Sequence, residues 1–202
     1  ESLRDRNYRA FLVGRILASA GFCVVPFLAI YYMSPAGGGL PEGRLVSYGA
    51  AMTAGIAVAN LVLGRLGDRR GHRLGILVGI AMQALALAVA LVSAGRESCL
   101  LAYLATGLAT GASWVSGSNL VLETCPHHSR IAHITLSNLL LGVATVTLPL
   151  LAGLVAEVAG VRQLFAGSLV LSAAALLWFL FCVKEPRALA GNGAAESDLA
   201  EG

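Results

Sequence analysis

Apolar residues gather along this chain into six long blocks, at about 8–33, 45–66, 74–93, 99–122, 132–157 and 163–183. A helix needs roughly 20 apolar residues to cross ~30 Å of hydrocarbon, and each block has that length. Strands of a membrane barrel would instead show about 10-residue stretches of alternating polarity. In lipid the backbone must satisfy its own hydrogen bonds, which leaves helices and closed barrels as spanning structures. The pattern therefore predicts an all-α membrane protein with six transmembrane helices. Between the first two blocks, the run from Ser34 to Pro41 holds three glycines and two prolines and reads as a loop. The stretch 188–202 is small, acidic and polar, the composition of a disordered tail.

Composition agrees. Hydrophobic residues make up 57% of the 202 and charged residues 12%, against about 25% charged in a soluble domain. So few charges cannot cover a globular surface, and the lipid bilayer is the partner for much of the chain. The net charge of +3 sits at the block ends and gives no reason to expect nucleic acid. Cys23, Cys99, Cys125 and Cys182 show no paired spacing, so no disulfide framework is predicted. Cys125, His127, His128 and His133 cluster without a zinc-site spacing, and neither metal nor cofactor is predicted.

Arginine and lysine are retained on the cytoplasmic side of membranes. Ten of them fall on one side of the blocks, from Arg4, Arg6 and Arg9 through Arg65–Arg73 to Arg130, Lys184 and Arg187. Three (Arg44, Arg96 and Arg162) fall on the other, and Arg15 lies inside the first block. Both termini are thus predicted in the cytoplasm, with the protein in a bacterial inner membrane. Glu1 is not methionine and no signal peptide precedes the first span, so the expectation is a chain that starts partway into a longer protein.

The blocks differ in polarity. The fourth carries Thr106, Thr110, Ser113, Ser116, Ser118 and Asn119, and the fifth carries Thr135, Ser137, Asn138, Thr145 and Thr147. The third offers little beyond Gln83. Tyr103, Thr106, Thr110, Ser113 and Gly117 recur at steps of three and four, which places them on one helical stripe. The fourth and fifth spans therefore read as interior, the third and sixth as lipid-facing. The plainer alternative is that these hydroxyls bond back to their own helices while Gly107 and Gly111 serve packing.

The loop between the second and third spans reads Gly64-Arg65-Leu66-Gly67-Asp68-Arg69-Arg70-Gly71-His72-Arg73. It resembles the major facilitator superfamily signature G-x-x-x-D-R-x-G-R-R, with His72 in place of one basic residue. Gly64 and Gly67 suit close helix approach, Asp68 suits a helix N-terminus, and Gly71 suits a very short turn. Glu123 and Arg130 are six residues apart after the fourth span, similar to the E-x6-R element that in some members pairs with the signature arginines. The resemblance covers residues 3 to 187. It implies one half of a two-half fold whose halves rock around a central site. Gly64, Asp68, Arg69, Gly71, Arg73, Glu123 and Arg130 would form the hinge and latch, and the first, second, fourth and fifth spans would line the cavity.

Family N-terminal halves usually carry an arginine within the fourth helix, which is absent here before Glu123. The fifth span has only Pro149, Ala152 and Gly153 where family antiporters have a Gly-Pro-rich pattern, and the sixth ends in Lys184-Glu185-Pro186-Arg187. These features point to the C-terminal half, with an N-terminal six-helix half missing from this chain.

Candidate cavity residues are Arg15, Asn60, Thr110, Trp114, Asn138 and Thr145. Arg15 either snorkels to the cytoplasmic interface or meets an anionic substrate or gating partner. No Asp or Glu lies mid-span, so a proton-coupling carboxylate must come from elsewhere or coupling is absent. Pro26 and Pro149 are expected to kink the first and fifth spans. The function that follows is secondary active transport of an unidentified small solute by alternating access. The alternatives are a half-transporter acting as a homodimer, or a non-transporting scaffold or receptor. A membrane-embedded enzyme would need a catalytic constellation, and none stands out.

Overall fold

The computed structural model describes residues 6–125 and 130–184. The predicted tail at 188–202, Arg4, Arg187, His127 and His128 lie outside the described residues. Helices α1 (Arg6–Phe22) and α2 (Val25–Met33) form the first span, followed by a 3-10 turn at Pro35–Gly37. Helices α3 (Glu42–Arg70), α4 (Arg73–Val92), α5 (Arg96–Thr124), α6 (Arg130–Ala159) and α7 (Val161–Cys182) form the other five. There is no strand among the described residues. Among the described residues, six helical stretches are long and apolar enough to cross a membrane, the first running from Arg6 to Met33.

Most helices outrun the apolar blocks. α3 and α5 have 29 residues and α6 has 30, more than the roughly 20 that hydrocarbon requires. Their charged first and last turns are helical but stand where water can reach them, which a hydropathy pattern does not register.

The first span is broken where proline dictates. Pro26 has no N–H to give, so the carbonyl one turn earlier loses its donor. α1 ends at Phe22 and α2 starts at Val25, with Pro26 in its first turn. α6, in contrast, stays helical through Pro149.

α5 is the centre of the bundle and packs against α3 and α4, while α7 packs against α1 and α4. Small residues allow this. A Cβ on Gly107 would collide with the backbone of Met52, and one on Gly111 would stand 2.6 Å from the Ile56 carbonyl. With no Cβ, α3 and α5 touch backbone to backbone. Side chains lock the rest: Gln83 Nε2 donates to the Gly21 carbonyl (2.9 Å), Trp178 Nε1 to the Ala10 carbonyl (2.8 Å) and Tyr8 Oη to the His133 carbonyl (2.6 Å).

Polarity did not rank the burial of the spans. In its most apolar stretch the third span, α4, is 44% buried within the chain, whereas the fifth, α6, is 11% buried. The hydroxyls of α6 explain the reversal. Thr145 Oγ1 donates to Leu141 and Thr147 Oγ1 to Val143, one turn back in the same helix, so they demand no partner helix. The single glutamine of α4 bridges to α1 instead. The fourth span, α5, is interior as predicted, at 50%.

Candidate functional site

A cleft of about 360 Å³ opens between α1, α2, α3, α5 and α6. Its walls are Arg15, Ser19, Phe22, Cys23 and Val25 of the first span, Met52 of α3, Thr110, Ser113 and Trp114 of α5, and Leu141, Ala144, Thr145, Leu148 and Pro149 of α6. Neither α4 nor α7 contributes. Four of the six candidate cavity residues, Arg15, Thr110, Trp114 and Thr145, come together here. Asn60 and Asn138 are both exposed and stand away from this lining.

Arg15 does not run along α1 toward the interface. Its guanidinium turns onto α5, where Nη1 donates to the Ser113 carbonyl at 3.1 Å. It lies against Gly117, where a Cβ would overlap Nη1. The pair explains why the α5 stripe has glycine at 117. Thr110 and Trp114 border the cleft two turns and one turn before Gly117. Thr110 Oγ1 donates to the Thr106 carbonyl (2.8 Å) and Ser19 Oγ to the Arg15 carbonyl (2.8 Å), so these hydroxyls enter the cleft with their protons already given away.

The signature loop lies at the arginine-rich end. Gly71 closes α3 with φ 88°, a conformation that favours glycine, and its N–H returns to Gly67 at 2.8 Å. α3 ends at Arg70 and α4 starts at Arg73, so the turn is only Gly71 and His72. Gly64 and Gly67 differ in role. A Cβ on Gly64 would meet Val115 at an ordinary 3.9 Å, so close approach does not require glycine there. A Cβ on Gly67 would collide with the ring of His72, so Gly67 makes room for a side chain rather than a helix.

His72 is 2% exposed. Its Nε2 stands 3.8 Å from Asp68 Oδ1 and 4.0 Å from Glu123 Oε1. Among the described side chains the ion pairs at this end thus run through His72, when protonated, joining α3 to α5. Arg130 donates to the Leu122 carbonyl at 3.4 Å, and Arg69 is exposed. His72 also occupies the N-cap of α4, where no side chain caps the helix. Arg73 reaches across the bundle, with Nη2 donating to the carbonyls of Phe179 (3.0 Å) and Leu180 (2.9 Å) in the last turn of α7.

A family model described as the Major Facilitator Superfamily matches residues 10–201. The chain belongs to the major facilitator superfamily. It is therefore an integral membrane protein of a transporter family, with six candidate spans. No curated protein is similar enough to this chain to count as a match.

Within the superfamily signature, two roles escaped the sequence. His72 registered only as a departure from the basic pattern, yet it is the buried junction of two carboxylates. Arg73 registered as one of several loop cations, yet it secures the end of α7. Both depend on residues more than 50 positions away, Glu123 in one case and Leu180 in the other. Gly117 had a visible signal, a glycine on the polar stripe of α5 at a depth an arginine of α1 can reach.

Proposed function

We propose that this chain is the C-terminal six-helix half of a secondary transporter that moves a small solute by alternating access around the cleft beside Arg15. The observation that carries this reading is the membership of the cleft's walls: the first, second, fourth and fifth spans, with the third and sixth outside. α3 and α6, at 11% buried, flank it with apolar faces that nothing among the described residues covers. A second six-helix half, related by an axis along the membrane normal, would cover those faces and close the cleft into a central path. The arginine-rich end faces the cytosol, with both termini, by the charge asymmetry of the loops. Asp68, Gly71, His72 and Glu123 then form a cytoplasmic latch, with two long contacts, of 3.8 and 4.0 Å, from the buried His72 to Asp68 and Glu123, a geometry suited to opening in every cycle.

The test is side-specific alkylation of the full-length protein in membrane vesicles, with native cysteines replaced. Cysteine introduced at Trp114 or at Thr145 should react with an impermeant maleimide from either side of the membrane. Asp68→Asn should confine the reaction to one side. Reaction from a single side in the parent protein, unaffected by Asp68→Asn, would reject alternating access. A homodimer of six-helix halves would cover the same faces. Cross-linking through cysteine at Val58 of α3 would give a species of twice the chain mass in that case alone.

A further inference from the structure

We infer that the solute of this cleft is a small organic anion, its charged group held by Arg15 and its body seated on an apolar wall. The inference rests on the cleft being the solute path. It begins with an imbalance of charge. Among the described residues every carboxylate stands near a helix end: Glu42 and Glu97 open α3 and α5, Asp68 and Glu123 lie in their last turns, and Glu157 lies in the last turn of α6. No described carboxylate pairs with Arg15. A cation at this depth is costly and is kept where it meets a counter-charge or a ligand.

The guanidinium is held in place for such a ligand. Ser113 takes one of its five N–H groups through a neutral carbonyl. Gly117 lets it lie sideways against α5 instead of extending to water. The fork that remains matches a carboxylate or phosphate better than a point charge would.

No other charged group lines the cleft. Ser19, Thr110 and Thr145 all donate to carbonyls of their own helices. Their hydroxyls present acceptor lone pairs to the cleft, which suit no anion. Besides Arg15, the neutral donors on these walls are the indole N–H of Trp114, on a side chain 63% exposed, and the hydroxyl of Ser113. Phe22, Met52, Leu141 and Leu148 supply apolar surface. The part of the site that this half supplies, about 360 Å³, already admits a body of about one ring.

The test is calorimetric titration of the full-length protein in detergent with benzoate, phenyl phosphate, benzamide and benzylammonium. At least one anion should bind saturably, with the amide and the ammonium about tenfold weaker or worse. Arg15→Gln should reduce anion affinity about tenfold, and Arg15→Lys should keep part of it. Should Arg15→Gln fail to fold, Gly117→Ala, which keeps the charge but displaces the guanidinium, should still weaken the anion severalfold. The inference is overturned if no anion binds better than benzamide up to millimolar concentration. Unchanged anion affinity in the Arg15 variants, or in Gly117→Ala where that variant stands in, overturns it equally. Side-specific alkylation does not depend on solute charge. Its failure removes the solute path itself, whereas lost anion preference with alternation intact removes only the charge class.

Discussion

The guanidinium of Arg73 stands 2.9 Å from the carbonyl of Leu180, so the first residue of α4 holds the last turn of α7. Helix C-termini leave carbonyls without intrahelical donors, and here a charged side chain from a distant helix supplies them. Arg73→Ala should cost about 1–2 kcal/mol, toward the lower side of charged hydrogen bonds because the group is partly exposed. Arg73→Lys should recover part of this, since both bonds leave the single nitrogen Nη2 and an ammonium can also donate twice, though from a shorter side chain. Thermal unfolding in detergent measures both. An unchanged midpoint for Arg73→Ala would show that the contact contributes nothing.

Gly64 and Gly67 should separate under alanine substitution. The Cβ of Gly67→Ala would enter the space of the His72 ring, whose burial leaves it little freedom to move. Overpacking of this kind costs about 1–3 kcal/mol. Gly64→Ala meets only Val115 at 3.9 Å and gains helix propensity of about 1 kcal/mol. Opposite shifts in unfolding midpoint are the expected outcome. Equal effects would mean that the two glycines share one role.

How far the sequence reached follows from what each feature depends on. Six spans, the loop at 34–41 and the two-residue turn at Gly71 were legible because hydrophobic length, Gly-Pro content and positive φ are local properties. Four walls of the cleft were legible by resemblance, and four of its candidate residues meet there. The direction of Arg15 was not, because the alternative to snorkelling was a backbone carbonyl of Ser113, and carbonyls have no signature in a sequence. The burial of α4 against α6 was misread for a related reason. Counting Ser and Thr does not reveal whether a hydroxyl bonds forward to another helix or back to its own.

Tyr8 ties the first span to the fifth in two separable ways. Its hydroxyl donates to the backbone carbonyl of His133 at 2.6 Å, and its ring meets the His133 ring edge-on at 4.6 Å. Tyr8→Phe should lose only the hydrogen bond, about 0.5–1.5 kcal/mol. His133→Ala keeps that carbonyl and should lose the ring contact, a further 0.5–1.5 kcal/mol or so beyond lost burial. Unfolding midpoints of the two single variants test this, and a Tyr8→Phe variant as stable as the parent would contradict the hydrogen-bond part.

Gln83 and Pro26 are predicted to be energetically coupled although they lie in different spans. α1 ends at Phe22, so the Gly21 carbonyl is among those left without a helical donor. Gln83 Nε2 fills that vacancy from α4 at 2.9 Å. Gln83→Leu should therefore orphan a buried carbonyl, at about 1–3 kcal/mol in the general case. The loss should be nearer the low end, because interhelical hydrogen bonds in membranes average about 0.6 kcal/mol. Pro26→Ala restores the N–H that serves the Phe22 carbonyl and permits a continuous first span, in which the Val25 N–H serves Gly21 and removes the need for an outside donor. The double variant should then be less destabilised than the two single effects added together. Simple additivity in unfolding free energies would mean that Gln83 stabilises α4 against α1 for some reason other than the break.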